Sequence, residues 1–207
     1  MHDKTVVASF NRLADASAAM RDLRAAGFAE TDINLVASRA ARDVASDAGD
    51  VVADTASGAA TGAIAGGALG GAAGLAASLM GLAIPGIGPI LAAGPIAAAL
   101  AGAGAGAVAG GVVGALTDVG VSETDAQVYA ESVRRGGAVV TVRTDEARAA
   151  AAEEILDRHD AVDIEERVAE WKRSGWTGYD PDAPEWSAAQ IEAERAQRGT
   201  GAGRINR

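Results

Sequence analysis

His159 stands between Asp157 and Asp160, the residue types that make a general base or part of a metal site. A surface imidazole favoured by a helix C-terminal dipole needs the same residues, and that reading outweighs the catalytic one. Asp163, Glu165 and Glu166 cluster like hard-cation ligands, but their spacing fits no calcium loop, and a solvated strand face is the stronger reading. Gly104-Ala105-Gly106-Ala107-Val108-Ala109 satisfies a relaxed dinucleotide fingerprint. It lacks the preceding β-branched strand and the later acidic residue, so helix packing explains it better. No G-x-x-x-x-G-K-[ST] occurs, and no serine has a histidine at suggestive spacing. The chain has no Cys and only two His, at positions 2 and 159, which excludes thiolate chemistry and a His-rich metal centre. No catalytic, cofactor-binding or metal-binding residue is assigned, and the expectation is a non-enzymatic protein without cofactors.

All three tryptophans lie in one stretch, WKRSGWTGYDPDAPEW, as Trp171, Trp176 and Trp186, with Tyr179 among them. Pro181 and Pro184 exclude a regular helix through it. These four aromatics form a candidate interaction motif or interfacial anchor beside Lys172 and Arg173. The competing reading folds the segment back over the chain's own sheet. A short helix on Ile191 follows between Pro184 and Arg198, and the final GTGAGRINR reads as disordered.

The elements that would position these residues follow from charge and periodicity. The 207 residues carry a net charge of −10, which argues against a nucleic-acid partner held by phosphate contacts. Nothing at the N-terminus reads as a signal peptide, so the chain is expected to begin in the cytosol. From Thr55 to Thr117, 63 residues pass without a charge. Four regions result: 1–54 and 118–170 as two halves of one α+β domain, 55–117 between them, and the tail 171–207.

In the first half, Val6, Ala8 and Phe10 alternate along a strand over 4–10. Asn11 suits a helix N-cap, with Leu13, Ala16, Met20 and Leu23 at helical spacing and Gly27 at C′. A second strand spans 31–38, with Ile33 and Leu35 on one face. In the second half, Ser122 and Asp125 resemble a capping box. Their helix carries Ala126, Tyr129 and Val133 and ends at Gly136 and Gly137. A strand over 138–143 follows, with Val140 and Val142 on one face. Thr144 caps a helix carrying Ala147, Ala151, Ile155 and Leu156. A last strand spans 161–168, with Val162 and Ile164 inward. The order β-α-β, insertion, α-β-α-β predicts a split ferredoxin-like sheet with helices on one face.

KTVVASFN, LRAAGF and DINLVAS, together with VSETDAQVYAESVRRGGAVVTVRTD, resemble the general stress protein family of the heat-induced stress protein YflT type. The resemblance covers roughly residues 4–40 and 118–168. It implies a stress-associated bacterial protein without established chemistry, and the Gly/Ala insertion departs from the simplest members.

Within that insertion Gly58, Gly62, Gly66, Gly70 and Gly74 recur every fourth residue. Gly102, Gly106, Gly110 and Gly114 repeat the pattern beyond the turn Ile84-Pro85-Gly86-Ile87-Gly88-Pro89. This predicts a helical hairpin, 56–83 and 90–116, packed along its glycines. Each arm, at about 40 Å, is long enough for a bilayer core of about 30 Å. Weak Ala/Gly hydrophobicity, missing flanking aromatics and acidic flanks oppose insertion. The expectation is nonetheless a transmembrane hairpin anchoring both charged halves at the cytoplasmic face of the inner membrane. Membrane lipid would be one partner and further copies of the chain another. The alternative is a cytoplasmic homo-oligomeric module whose hairpins form a shared core.

Overall fold

The computed structural model describes residues 4–47, 80–84, 88–93 and 111–202. The fold is α+β. In chain order the elements are β1 (Lys4–Phe10), α1 (Leu13–Ala25), a 3-10 turn (Glu30–Asp32), β2 (Ile33–Ser38) and α2 (Arg39–Asp47). Then come β3 (Met80–Ile84), β4 (Gly88–Ala93), α3 (Gly111–Asp118), α4 (Glu123–Arg134) and β5 (Ala138–Thr144). The last are α5 (Glu146–Asp157), α6 (Ile164–Arg173) and α7 (Ala188–Ala202).

The described strands form one antiparallel sheet in the order β1-β5-β2-β4-β3. β5 lies between β1 and β2, which therefore run parallel to each other. Register places Val6, Val142 and Ile33 in one row and Ala8, Val140 and Leu35 in the next. Those rows face α1 and α5 and form the larger core with Phe10, Leu23 and Leu156. The alternation expected for all three strands is the alternation found.

The opposite face is covered as well. Val36 and Val139 pack with Val112 and Leu116 of α3 and with Ala126, Ala130 and Val133 of α4. There the buried Asn34 amide donates to Thr141 Oγ1 at 3.0 Å, so two polar side chains between the layers satisfy each other. Helices therefore cover both faces, not one as expected. β2 is buried at every position, the signature of a strand covered twice.

Three local expectations are corrected. Residues 161–168 do not form a strand: Val162 makes a single bridge to Ser9, and α6 begins at Ile164. The Asp163 carboxylate accepts from the Glu165 and Glu166 backbone N–H groups at 3.0 and 3.1 Å, which starts a helix where alternation suggested a strand. Asn11 is not a cap: the N-cap position of α1 is Arg12, and α5 is capped by Asp145 rather than Thr144. α5 buries Ala149 and Ala152, while Ala147 and Ala151 are exposed. The capping of α4 by Ser122 is as expected, with Asp125 N–H donating to Ser122 Oγ at 3.2 Å.

The larger correction concerns the insertion. Met80–Ile84 and Gly88–Ala93 are not helix; they pair with each other as adjacent antiparallel strands and join the sheet beside β2. A short apolar run bounded by turn residues suits a buried strand as well as a helix, and tertiary pairing decides between them. Pro89 sits one residue before β4 begins pairing with β2, where its missing N–H interrupts no bond to β2. Among the described residues no helix is long and apolar enough to cross a membrane. The transmembrane hairpin and the inner-membrane location are overturned by these findings. Gly58, Gly62, Gly66, Gly70, Gly74, Gly102, Gly106 and Gly110 lie outside the described residues. Gly114 falls in α3, where an added Cβ would meet nothing within 4 Å among the described residues.

Candidate functional site

Arginines and tryptophans converge where the tail returns to the start of α1. Trp171, in the last turn of α6, is almost wholly buried, 3% exposed, and Trp176 packs on it edge-to-face with centroids 5.5 Å apart. The Arg135 guanidinium lies 4.9 Å from the Trp171 ring centroid and 4.9 Å from that of Trp186. Each contact is a cation–π interaction in a partly dehydrated setting.

Beneath this stack, Glu131 is 1% exposed. Its carboxylate receives two bonds from Arg134, at 2.8 and 2.6 Å, and one from Arg135 at 2.6 Å. Burial pushes the Glu131 carboxyl up, but these bonds and charges outweigh it and hold it below its ordinary value. Arg134 also donates to the Pro184 carbonyl at 2.7 Å, and its own carbonyl accepts the Trp186 N–H at 3.1 Å. A buried ion triad at the end of α4 thus clips the tail down.

Asn11 anchors a second set of contacts. Its Oδ1 accepts from Arg167 at 2.9 Å and from Arg198 at 3.0 Å, and its carbonyl accepts from Arg195 at 2.8 Å. Two guanidinium groups thus share one amide oxygen. Glu170 stands back from both, with Oε2 3.4 Å from Arg167 Nη1 and 3.9 Å from Arg198 Nε. Glu194 pairs with Arg198 one helical turn away. Burial, then the neighbouring charges of Arg167 and Arg135 against that of Glu170, push the Arg198 guanidinium down to about 10. Burial likewise lowers Arg167. Both remain cationic at neutral pH.

A different contact closes the far side of the tail. The Glu185 carboxyl lies beside Ser38 and Ala40 near the start of α2, whose polar groups favour its charged form. Burial outweighs them and raises the carboxyl to about 7, aided by the charge of Asp43.

The aromatic motif expected from sequence is therefore found folded onto the chain's own domain. Trp171, Trp176 and Trp186 surround Arg135 or one another, and Tyr179 packs against the core under α3 and α4. Burial raises the Tyr179 hydroxyl. Ile191 is 2% exposed on α7, as its helical reading required. His159 meets the exposed Asp22 carboxylate at 2.9 Å, away from this cluster. Asp163 serves as a helix cap, and Gly104–Ala109 lies outside the described residues. Among the described residues no group of three His, Cys, Asp or Glu could hold a metal ion. Sequence reading missed the cluster of Asn11, Arg135, Arg167 and Arg198, which spans 187 positions. Its only local signal was the unusual pairing of tryptophans with basic residues in an acidic chain. In comparison with known proteins, no family model, no curated protein and no solved structure matches this chain.

Proposed function

We propose that the chain is a non-enzymatic interaction module that assembles with further copies of itself through the outer edge of β3. The observation that carries this reading is the difference between the two ends of the sheet. At the β1 end, Val162 N–H donates to the Ser9 carbonyl at 2.8 Å, and α6 follows at once. At the other end, the described sheet stops at β3, whose residues Met80–Ile84 carry no charge. Natural edges are usually guarded by charge, proline or a covering element, and an uncharged apolar edge is a template for another strand. A second copy pairing β3 to β3 about a twofold axis satisfies both edges with one self-complementary contact. The non-enzymatic reading is supported by the use of the chemistry-bearing residues in caps and ion pairs.

The split ferredoxin-like reading of the fold belongs with this proposal. The alignment of Val162, β1, β5 and β2 supports it, with the fourth strand shortened to one bridge. A stress-associated role rests on the resemblance of residues 4–40 and 118–168 to the general stress protein family.

Cross-linking of the full chain tests the assembly. Linked dimers or larger species should form in wild type and disappear in Leu82→Lys, with the circular dichroism spectrum unchanged. A wild-type chain that yields only monomer refutes the reading.

A further inference from the structure

We propose that residues 184–186 form a pH-sensitive latch: a proton on the Glu185 carboxyl holds the tail against the start of α2, and its loss loosens the tail. The latch is separate from the β3 edge and does not depend on it.

Main-chain bonds hold this short segment to the end of α4. Arg134 donates to the Pro184 carbonyl at 2.7 Å, and the Trp186 N–H donates to the Arg134 carbonyl at 3.1 Å. Glu185 stands between those two bonds and lies beside Ser38 and Ala40 near the start of α2. Farther on, Ile191 meets Gly136 and α7 packs against α2. One carboxyl-bearing residue thus spans from the end of α4 to the start of α2.

That carboxyl is poorly placed as an anion. Its Oε1 is closed to solvent and has no hydrogen-bond partner among the described residues. Asp43 of α2 adds a like charge. The arginines at the end of α4 are drawn elsewhere: Arg134 and Arg135 both donate to Glu131. Arg195 of α7 donates to the Asn11 carbonyl. Arg39 and Arg42 share α2 with Asp43, and neither is ion-paired with Glu185 among the described residues. A carboxylate so placed gives up hydration without recovering it, whereas the neutral acid gives up little. Burial and Asp43 accordingly bring the group to about 7, within the range of ordinary pH change.

A released tail returns Glu185 to water and to its ordinary value of 4.5. The attached tail binds the proton more tightly, so attachment weakens as pH rises through about 7. The full shift changes the ratio of attached to released tail by about tenfold between pH 6 and pH 8. Partial exposure of the group reduces this, and about threefold or more is expected. Loosening also uncovers Ile191, which is 2% exposed in the attached state.

Amide hydrogen exchange of the full chain at pH 6 and pH 8 tests the latch, each rate being divided by its unstructured value at the same pH. The Trp186 amide should be less protected than the amides of β5, because the tail opens without the rest of the domain. Its protection should fall about threefold or more from pH 6 to pH 8. Glu185→Gln should abolish that fall and keep protection high at pH 8. Glu185→Ala removes the acid altogether; it should abolish the fall too, and it decides the matter if Glu185→Gln does not fold. A Trp186 amide as protected as those of β5, equal protection at both pH values, or a fall that persists in either variant would each overturn the proposal.

Discussion

Ile191 fills the space that a Cβ on Gly136 would need. Gly136 also holds φ +87°, the left-handed conformation that ends α4, so two independent constraints require glycine there. The turn that stops a helix is thus also the seat of the tail. Gly136→Ala should cost about 3 kcal/mol, roughly 1 from backbone strain and the rest from displacing Ile191. Gly175→Ala is the comparison: its φ is +94°, but among the described residues nothing stands within 4 Å of an added Cβ. It should cost only about 1 kcal/mol. Urea unfolding of both variants checks the difference. Limited proteolysis should cut between residues 174 and 190 only in the Gly136 variant.

Glu131 joins Arg134 and Arg135 in a site where none of the three is well hydrated. Removing the carboxylate leaves two buried cations facing each other. Glu131→Ala should therefore destabilise the chain by about 3 kcal/mol or more. Because the folded-state value of this carboxyl is depressed, its contribution is fully present above the unfolded value near 4.5. It is lost as pH falls through the depressed folded value. Wild type should thus lose stability below about pH 4.5 more steeply than Glu131→Gln does, as thermal melts across that range would show.

Glu185 behaves in the opposite sense. Its folded-state value is raised to about 7, so between about 4.5 and 7 the folded chain holds a proton that the unfolded chain releases. Its stabilising effect is present at low pH and declines as pH rises through that window. Glu185→Gln mimics the protonated form and should gain stability over wild type at pH 8 but not at pH 4.5. The gain should be about 1 kcal/mol, well short of a dry site's full effect, because the group is half-exposed. An equal effect of the substitution at both pH values would contradict this account.

Asp163 distinguishes a cap from a cation ligand. Asp163→Ala should cost about 1 kcal/mol through loss of the α6 cap. Calcium or magnesium should alter the melting temperature of wild type and variant alike, or of neither. A metal-dependent stabilisation confined to wild type would restore the acidic-site reading.

The strands β1, β2 and β5 were legible because each alternates along its length and each core face is decided locally. Ser122, Gly27 and Gly136 were legible for a related reason: caps and helix ends depend on one or two neighbours. The second helical layer was not, since Val7, Val36 and Val139 read equally well as solvent-facing β-branched residues. Residues 161–168 carried alternation and a capping aspartate together, and the cap prevailed because only Val162 has a partner strand. In the insertion, helical glycine spacing obscured the strand character of Met80–Ile84 and Gly88–Ala93. Pairing with β2, from a segment more than 40 residues earlier, decided their conformation. The arginine pocket was least legible: Asn11 and Arg198 meet only because the tail folds back, and no local pattern encodes that return.

Self-assembly through β3 is the central claim, and sedimentation velocity of the full chain over a hundredfold concentration range tests it most directly. The account predicts a mass at or above twice 20.5 kDa at the higher concentrations, reverting to monomer in Leu82→Lys. A wild-type chain that stays at 20.5 kDa throughout, or an assembly that Leu82→Lys leaves intact, would contradict it.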